Sequence, residues 1–478
     1  MPWTVKEIGE ALGVAAPAGV ASEKLAGFSI DSRTLRPGEL FIAIQGPNHD
    51  GHDFVAQALL RGAMAAVVGE ERRALYQSEW RAKLLGVPDT FAALQQLGRA
   101  ARRRWGGRLI GVTGSTGKTT TKELLAALLA TRYRVLKSEG NLNNEYGVPL
   151  TLLRLEASHE RAVIEMAMSH KGELAKLCQV AEPNVGLVTN VAPVHLEFFS
   201  SLEEIAEAKR ELIHGLAPPA TAVLNADDAR VSRFAEGFSG RVLRFGFETP
   251  AEVRAENISD HGCQGSEFDL VTAQERGRVR LFLPGRAHIS NAVAAFAAAS
   301  LDGVGVRDAA KVFATFEPAS LRGARVSFPA GFTVVNDAYN SNPRALAAMA
   351  EALSRTPGAR RRIVVAGEMK ELGPSSPELH RQAGAGLAAL GNIDFLAGVT
   401  GDAVDLVEGA LAGGFPRARA FFFETRGAAS GWLCGVLEPG DWVLLKASRG
   451  VGIETVLEAL KSYFSAEPVV TNASVAKE

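Results

Sequence analysis

The segment Gly111-Val-Thr-Gly-Ser-Thr-Gly-Lys-Thr-Thr-Thr121 constrains the fold more than any other part of the chain. It follows an apolar, strand-like run over residues 109–112 and precedes a helical pattern over residues 118–129. A glycine-rich turn between a strand and a helix directs consecutive backbone N–H groups into one concavity, and the positive helix end adds attraction for phosphate. The segment therefore predicts a phosphate-binding loop at residues 114–120 of an α/β domain.

The loop departs from the strict signature G-x-x-x-x-G-K-[ST], because Val112 stands where the first glycine is expected. The shorter form G-x-x-G-K-T-T remains. In such a loop we expect Lys118 to reach the β- and γ-phosphates and the Thr119 hydroxyl to bind magnesium. The loop residues expected to contact ATP are Gly114, Ser115, Thr116, Gly117, Lys118, Thr119 and Thr120. The alternative is a glycine-rich turn that only caps a helix.

Length and patterning predict several domains of one class. A chain of 478 residues is long enough for about three domains at roughly 150 residues each. Strand-like runs alternate with helical segments through most of the sequence, which indicates largely parallel sheets with helices on both faces. We expect domains at residues 1–106, 107–322 and 323–466, with a frayed tail at 467–478.

Charge and cysteine content exclude several classes of protein. The net charge of -1 gives no support for a nucleic-acid or anionic-membrane partner. No apolar run approaches 18 residues and the start lacks a signal peptide, so we expect no membrane insertion. The cysteines Cys178, Cys263 and Cys434 lie far apart, which fits neither a disulfide framework nor a zinc site. We expect a cytoplasmic protein whose cysteines are small buried hydrophobic residues.

Three further side chains are candidates for metal binding. Glu165 ends an apolar strand-like run, and a carboxylate at a strand end commonly accompanies magnesium bound to phosphates. His195 follows the next strand pattern, although a lone histidine is more often structural. Lys209 lies in a helical pattern and by pattern alone reads as a solvated lysine. The run Arg102–Arg104 likewise reads as a solvated helix end, with a hinge after it.

Four more segments complete a recognisable set: Ser29-Ile-Asp-Ser-Arg33, Gly140-Asn-Leu-Asn-Asn144, Asp337-Ala-Tyr-Asn-Ser-Asn-Pro343 and Lys446-Ala-Ser-Arg449. With the loop at residues 111–121, they resemble the Mur ligases, the ATP-dependent amide-forming enzymes of peptidoglycan synthesis. The resemblance covers nearly the whole chain.

The resemblance implies both a fold and a reaction. The fold is the three-domain Mur ligase architecture, in which a central P-loop parallel-sheet ATPase domain is flanked by an N-terminal α/β domain and a C-terminal Rossmann-like domain. The segment at residues 140–152 looks most like the branch that adds D-alanyl-D-alanine to UDP-N-acetylmuramoyl-tripeptide through an acyl phosphate. The implied partners are these two small molecules, ATP and Mg²⁺, and we expect a monomer.

The resemblance also implies roles for individual residues. The implied catalytic and magnesium-binding side chains are Lys118, Thr119, Glu165, His195 and Lys209, the last as a carbamate. Those implied around ATP beyond the loop are His288, Asn291, Arg325, Asp337 and Asn340. Those implied to bind the peptide substrates are Ser29, Asp31, Ser32, Arg33, Asn143, Asn144, Lys446, Ser448 and Arg449.

Two alternatives stay open at this stage. One is another ligase of the same fold that adds a single amino acid. The other is a phosphate-loop switch, although Thr189-Asn-Val-Ala-Pro193 lacks the N-K-x-D segment that reads guanine. The chain departs from the family pattern at Ala447 and Glu368, where glycine and aspartate are expected. The third residue of the peptide, lysine or diaminopimelate, is not determined by the sequence.

Overall fold

The computed structural model describes residues 2–193, 198–318 and 321–464 and divides them among three β-sheets. The strands of these sheets come from residues 27–87, 108–281 and 324–446. The predicted three-part α/β architecture is therefore confirmed. The domain limits 1–106, 107–322 and 323–466 stay predictions, and the tail at 467–478 lies outside the described residues. In the described part of the chain, no helix is both long and apolar enough to cross a bilayer.

The first domain is built on a four-stranded parallel sheet in the order β1-β2-β3-β4. Its first helix begins at a capping box formed by Thr4 and Glu7, which satisfies two backbone N–H groups. Its elements are α1 (Val5–Leu12), β1 (Gly27–Ser29), β2 (Glu39–Ile42), α2 (Val55–Leu60), β3 (Ala65–Gly69), α3 (Glu70–Arg73), α4 (Ser78–Arg81), β4 (Leu84–Val87) and α5 (Thr90–Trp105).

The central domain carries a nine-stranded sheet in the order β13-β12-β11-β10-β9-β8-β5-β7-β6. Its elements are β5 (Arg108–Thr113), α6 (Lys118–Leu129), β6 (Val135–Lys137), α7 (Gly147–Leu152), β7 (Arg161–Glu165), α8 (Glu173–Ala181), β8 (Val185–Val188), α9 (Leu202–His214), β9 (Thr221–Asn225), α10 (Ala229–Ser232), β10 (Arg241–Gly246), β11 (Val253–Asp260), β12 (Ser266–Val271), β13 (Arg276–Leu281), α11 (Arg286–Ser300) and α12 (Val306–Thr315).

Apolar side chains on both faces explain why the middle of this sheet is parallel and buried. One face packs against α6, α11 and α12, and the other packs against α7, α8 and α9. Strand β5 is buried from its second residue onward, as is typical of a strand covered on both sides. The sheet thus presents the carboxyl ends of β5, β7 and β8 together at one edge.

The prediction of a largely parallel central sheet is confirmed, and the structure adds an antiparallel extension that the sequence pattern does not show. Strands β11, β12 and β13 pair antiparallel and extend one side of the sheet. Their sequences alternate apolar and polar residues, so one face packs on the core while the other carries ion pairs such as Arg276–Asp269 at 2.7 Å. The alternation between helices and apolar strands does not signal this extension, because these strands are covered on one face only.

The third domain has a six-stranded sheet in the order β14-β15-β19-β16-β17-β18, parallel except for β14. Strand-like runs in the sequence predict five of these strands, and each prediction agrees with the structure to within one residue at each end: Thr333–Asn336, Ile363–Ala366, Phe395–Val399, Ala420–Phe423 and Trp442–Leu445. Its elements are β14 (Ala324–Ser327), β15 (Thr333–Asp337), α13 (Pro343–Ser354), β16 (Arg362–Gly367), α14 (Ser376–Ala389), β17 (Phe395–Val399), α15 (Ala403–Ala412), β18 (Ala420–Phe423), α16 (Arg426–Val436), β19 (Trp442–Lys446) and α17 (Glu454–Phe464).

A buried arginine joins the first domain to the central domain. Arg102 donates hydrogen bonds to Ala181 O at 2.8 Å, to Glu182 O at 3.1 Å and to Asn184 Oδ1 at 3.1 Å. The interpretation of this arginine as part of a solvated helix end is therefore wrong for Arg102. Helix α5 ends against α8, where the guanidinium satisfies backbone carbonyls that the end of α8 leaves without partners. Arg103, which pairs with Glu182, and Arg104 are both exposed as expected.

The central domain reaches the third domain through the turn between β11 and β12. The Cys263 N–H donates to Thr356 Oγ1 at 3.0 Å, and the Gln264 amide donates to Pro357 O at 2.8 Å. The Cys263 side chain lies in the apolar core of the third domain, and burial raises the pKa of its thiol to about 12. Cys178 is also buried and Cys434 only partly, so the prediction of buried cysteines is confirmed for two of the three.

Candidate active site between the central and third domains

Two glycines shape the loop that joins β5 to α6. Gly114 and Gly117 have φ angles of 147° and 81°, which disfavour residues with a Cβ. A Cβ would also lie 1.9 Å from Thr189 Oγ1 at position 114 and 2.2 Å from Asn291 Oδ1 at position 117. The backbone of the loop therefore approaches both neighbours so closely that glycine is required at both places.

The residues after β8 hold the loop in this shape. The Ser115 N–H donates to Asn190 O at 2.9 Å, and the Thr116 N–H donates to Asn190 Oδ1 at 3.1 Å. The Thr189 hydroxyl donates to Thr116 O at 2.6 Å. The sequence around Thr189 and Asn190 gives no signal of this supporting role, because the contacts join residues 73 or 74 positions apart.

Lys118 lies over the loop that it is predicted to serve. Its Nζ donates to Gly114 O at 2.8 Å and to Ser115 O at 3.3 Å. The pKa of this ammonium is lowered, mainly by burial. The charge of Glu165 opposes the lowering, and the charge of Arg322 adds to it. Thr119 follows in the first turn of α6 and is nearly buried. The predicted loop, lysine and threonine are thus together at the amino end of one helix.

Glu165 ends β7 beside the loop and is held from two sides. Its backbone N–H donates to Ser138 Oγ at 3.0 Å, and the Asn143 amide donates to its Oε1 at 2.9 Å. Its Oε2 is buried, and no hydrogen bond reaches it from the described residues. Magnesium prefers oxygen ligands, so this carboxylate oxygen and the Thr119 hydroxyl fit the predicted metal. Residues 2–193, 198–318 and 321–464 contain no cluster of three His, Cys, Asp or Glu side chains arranged for a metal.

Lys209 is buried on α9, so its interpretation as a solvated lysine is wrong. Burial, followed by the charge of Lys118, lowers the pKa of Lys209 well below the ordinary value. Helix α9 turns this side chain toward the sheet because the neighbouring inward positions, Ala206 and Leu212, are core residues. The predicted metal ligand His195 lies outside the described residues.

The third domain contributes an ion pair at the carboxyl ends of β15 and β19. The Lys446 ammonium lies 2.5 Å from Asp337 Oδ2 and donates to Asn340 O at 3.0 Å. Ser448 follows on the same strand end, where its Oγ accepts the Lys370 N–H at 2.8 Å. The structure therefore brings the predicted residues Asp337, Asn340, Lys446 and Ser448 into one cluster.

Helix α11 connects the two halves of the site. Asn291 contacts the phosphate loop at Gly117. His288, one turn earlier, faces the third domain, where burial lowers its pKa to about 4 against the opposing charge of Asp337. Its Nδ1 is buried and has no hydrogen-bond partner in the described part of the chain. The H-x-x-N pair thus lies between the loop and Asp337.

Two arginines lie near the junction with the third domain, one predicted to contact ATP and one not predicted. The Arg325 guanidinium lies 5.5 Å from the Phe282 ring centroid, near the Cys263 turn, and no contact with the phosphate loop is recorded for it. Arg322, which the sequence analysis did not select, lies 3.8 Å from the Tyr339 ring centroid, and its charge lowers the pKa of both Lys118 and His288. Its only sequence signal is its place just before Gly-Ala-Arg325.

Other predicted substrate residues form local interactions outside this cluster. Arg33 pairs with Asp31 at 2.8 Å, and the Ser32 hydroxyl donates to Gln57 at 2.9 Å. The remaining contacts are Ser29 Oγ with Asp31 O at 3.0 Å, Asn144 Oδ1 with the Gly147 N–H at 2.9 Å, and Arg449 with Glu454 at 2.6 Å. No contact with the phosphate loop is recorded for these residues, and their substrate-binding roles stay predictions.

Comparison with known families agrees with this division into three parts. The profile described as Mur ligase family, catalytic domain matches residues 24–102. The Mur ligase middle domain matches residues 112–299, and the Mur ligase, glutamate ligase domain matches residues 322–449. The chain belongs to the Mur ligase family.

Individual Mur ligases match over nearly the full length. The UDP-N-acetylmuramoyl-tripeptide–D-alanyl-D-alanine ligase of Bacillus subtilis is 34% identical over 96% of this chain and 98% of its own. A crystal structure of MurF from Acinetobacter baumannii superposes with a TM-score of 0.87 at 30% identity, covering 97% of this chain and 99% of that one. MurF ligase from Thermotoga maritima in complex with ADP has a TM-score of 0.78 at 30% identity, covering 92% and 98%.

As a Mur ligase, the protein is an ATP-dependent ligase that forms an amide bond. Membership in this family decides against the alternative of a phosphate-loop switch. It also explains why a nucleotide loop and a second cluster of charged residues meet across two domains, since a ligase must bring an activated acid and an amine together.

Proposed function

We propose that this Mur ligase adds D-alanyl-D-alanine to UDP-N-acetylmuramoyl-tripeptide, yielding the UDP-muramoyl-pentapeptide precursor of peptidoglycan, ADP and phosphate. The observation that carries the proposal is similarity over nearly the full length to relatives named for this reaction. The monomeric state and the cytoplasmic location belong to the same proposal, as do the domain limits given above.

The chemistry begins with a carboxylate, which accepts an amine poorly because its oxygen leaves badly. A carboxylate oxygen of the tripeptide attacks the γ-phosphorus, the bond to the β-phosphate oxygen breaks, and ADP leaves. The amine nitrogen of the dipeptide then attacks the acyl carbon, phosphate leaves, and the amine proton passes to a base or solvent. Lys118 and the N–H groups of the loop would stabilise charge on the transferring group.

Thr119, Glu165, His195 and the carbamate of Lys209 would hold Mg²⁺. When bound, the ion would neutralise charge on the phosphate oxygens. The orphaned Glu165 Oε2 and the buried position of Lys209 support this set.

A carbamate on Lys209 requires a neutral amine, because only the lone pair of nitrogen attacks the carbon of carbon dioxide. Burial lowers the pKa of Lys209, which increases the fraction of neutral amine. The variant Lys209→Ala is expected to lose most activity and to regain part of it with added formate or acetate, which replaces the missing anion. Absence of rescue at saturating carboxylate would count against the carbamate.

The third domain would supply the amine substrate and close the site over ATP. We assign Asp337, Asn340 and Arg325 to ATP, with Asn291 near the adenine. Lys446, Ser448 and Arg449 are assigned to the dipeptide. Ser29, Asp31, Ser32, Arg33, Asn143 and Asn144 are assigned to the muramoyl peptide. Excluding water between the domains would protect the acyl phosphate from hydrolysis.

One assay tests the substrate assignment. Phosphate release is measured with ATP, Mg²⁺, UDP-muramoyl-tripeptide and D-Ala-D-Ala, and each component is omitted in turn. D-Ala-D-Ala should stimulate release, whereas single amino acids should not. Stimulation by a single amino acid instead would favour the other Mur-type ligase activity. Separate reactions with lysine- and diaminopimelate-containing tripeptides identify the third residue.

A further inference from the structure

A second lysine of α6 lies deeper in the central domain than the phosphate-loop lysine. Lys122 follows Lys118 by one helical turn, and its side chain is fully buried. Its Nζ donates to Ser138 O at 2.8 Å and lies 3.0 Å from Glu123 Oε1. The same nitrogen lies 3.8 Å from Glu165 Oε2. The phosphate-loop signature does not extend to this position.

Packing alone does not explain this lysine. Removing an ammonium from water costs several kcal/mol unless it is well paired, and an apolar residue of similar size is often equally stable. Neighbouring positions of α6 that face the core, Leu124 and Leu125, are apolar as expected. Glu123 already pairs with Lys137 at the surface. Glu123 thus has a second cation, so the distinctive ionic contact of Lys122 is the one with Glu165.

Ser138 links this lysine to the backbone of Glu165. The Ser138 hydroxyl accepts the Glu165 N–H at 3.0 Å, while the Ser138 carbonyl accepts the Lys122 ammonium. Asn143 holds the other carboxylate oxygen, Oε1, at 2.9 Å. With Oε1 fixed on one side and Oε2 facing a buried cation on the other, rotation of the Glu165 carboxylate is restricted.

We propose that Lys122 is a positioning residue that orients the Glu165 carboxylate toward the phosphate loop. The inference rests on the proposed function, in which Glu165 holds Mg²⁺. Partners behind a metal ligand fix its orientation, and their removal typically weakens metal binding by about 10- to 100-fold. Without Lys122, the carboxylates of Glu123 and Glu165 would face one buried space with no cation between them, so the Glu165 carboxylate would turn away.

The test uses the full chain and Mn²⁺ as a spectroscopic probe in the presence of ADP, so that no turnover is needed. Free and bound Mn²⁺ are separated by electron paramagnetic resonance. Lys122→Met should weaken Mn²⁺ binding about tenfold, while ADP binding in EDTA stays unchanged. The matched control is Glu123→Gln, which breaks the same ion cluster without touching Glu165 and should change Mn²⁺ affinity less than about twofold.

Mn²⁺ binding by Lys122→Met that equals or exceeds that of the unchanged protein would overturn the proposal, as would equal losses in both variants. If Lys122→Met does not fold, Lys122→Gln removes the charge and keeps a donor for Ser138 O; it should show the same loss, and unchanged binding would again overturn the role. These measurements involve no peptide. A failure of D-Ala-D-Ala to stimulate phosphate release would therefore overturn the proposed function alone.

Discussion

The two junctions of the central domain are held by different kinds of contact. At the first, the end of α5 places the buried Arg102 against the end of α8, and Gly98 lies so close to Pro149 that a Cβ would come within 2.6 Å of it. At the second, the Cys263 turn enters the third domain at one end, while His288 faces Asp337 at the other. The contacts of the first junction are structural ones between α5, α7 and α8. At the second junction, polar side chains of the candidate site lie among the contacts.

This difference assigns separate tasks to the two junctions. The first fixes the first domain to the central domain as one platform. The second carries the charged side chains of two half-sites, so substitutions there should change activity more than stability. Substitutions at the first junction should do the reverse.

The largest effect is expected from the phosphate loop, which borders the second junction. Lys118→Ala should lower kcat for phosphate release by about a thousandfold, roughly 4 kcal/mol, because charge on the transferring phosphoryl group loses its nearest cation. Thermal unfolding should change little. The control Lys176→Ala replaces an exposed lysine of α8 and should retain full activity. Near-normal turnover by Lys118→Ala would defeat the loop assignment.

Breaking the first junction should cost stability and spare catalysis. Arg102→Met removes the donor from the Ala181 and Glu182 carbonyls, while Asn184 Oδ1 keeps the Leu109 N–H, and should lower the free energy of unfolding by about 3 kcal/mol. Chemical denaturation measures the loss, and kcat at 20 °C should stay within about twofold. Arg103→Met, which removes an exposed ion pair on the same helix, should cost less than about 1 kcal/mol. Similar losses in both variants would contradict the difference described here.

On the third-domain side of the second junction, Asp337→Asn removes one partner of the Lys446 pair. We expect the KM for ATP to rise by about 30-fold, roughly 2 kcal/mol, because the buried ammonium keeps only the Asn340 carbonyl. Asp441→Asn is the matched control, since Asp441 is also buried and pairs with Arg361 at 2.5 Å at the other end of β19. It should lower stability and leave KM unchanged. Equal changes in KM would show that the effect is general destabilisation.

The two junctions should also respond differently to pH. The folded-state pKa of His288 is lowered to about 4, so below its unfolded pKa of about 6.5 the unfolded chain binds the proton more tightly. Stability is therefore lost as the pH falls below 6.5, by about 1 kcal/mol at pH 5.5. At the first junction, the hydrogen bond from Arg103 lowers the pKa of Glu182. The stability that this ion pair contributes therefore persists until the pH falls below the ordinary pKa of glutamate. Unfolding curves at pH 7.5 and 5.5 measure this loss of stability, which should be absent in His288→Asn. A variant with the same pH dependence as the unchanged protein would contradict the role of His288.

Much of the site follows from residues that are close in sequence. The loop from Gly114 to Thr120 and the start of α6 at Lys118 were predicted where the structure has them, because a turn and a helix start depend on neighbouring residues. Glu165 was found for the same reason, as the acid that ends a buried strand. The antiparallel strands β11–β13 were missed, since their one-sided alternation differs from the buried strands before them.

What the sequence by itself determined is the class of fold, the phosphate loop and the family resemblance, which depend on local spacing. Only the tertiary structure decided the environment of each polar side chain. Arg102 and Lys209 are buried although their patterns suggest surface residues, and the charge of Arg322 adds to the burial that lowers the pKa of the loop lysine. Burial and charge pairing are set by contacts between segments far apart in the chain, so the same lysine or arginine is compatible with a solvated helix face or a catalytic interior until the packing is known.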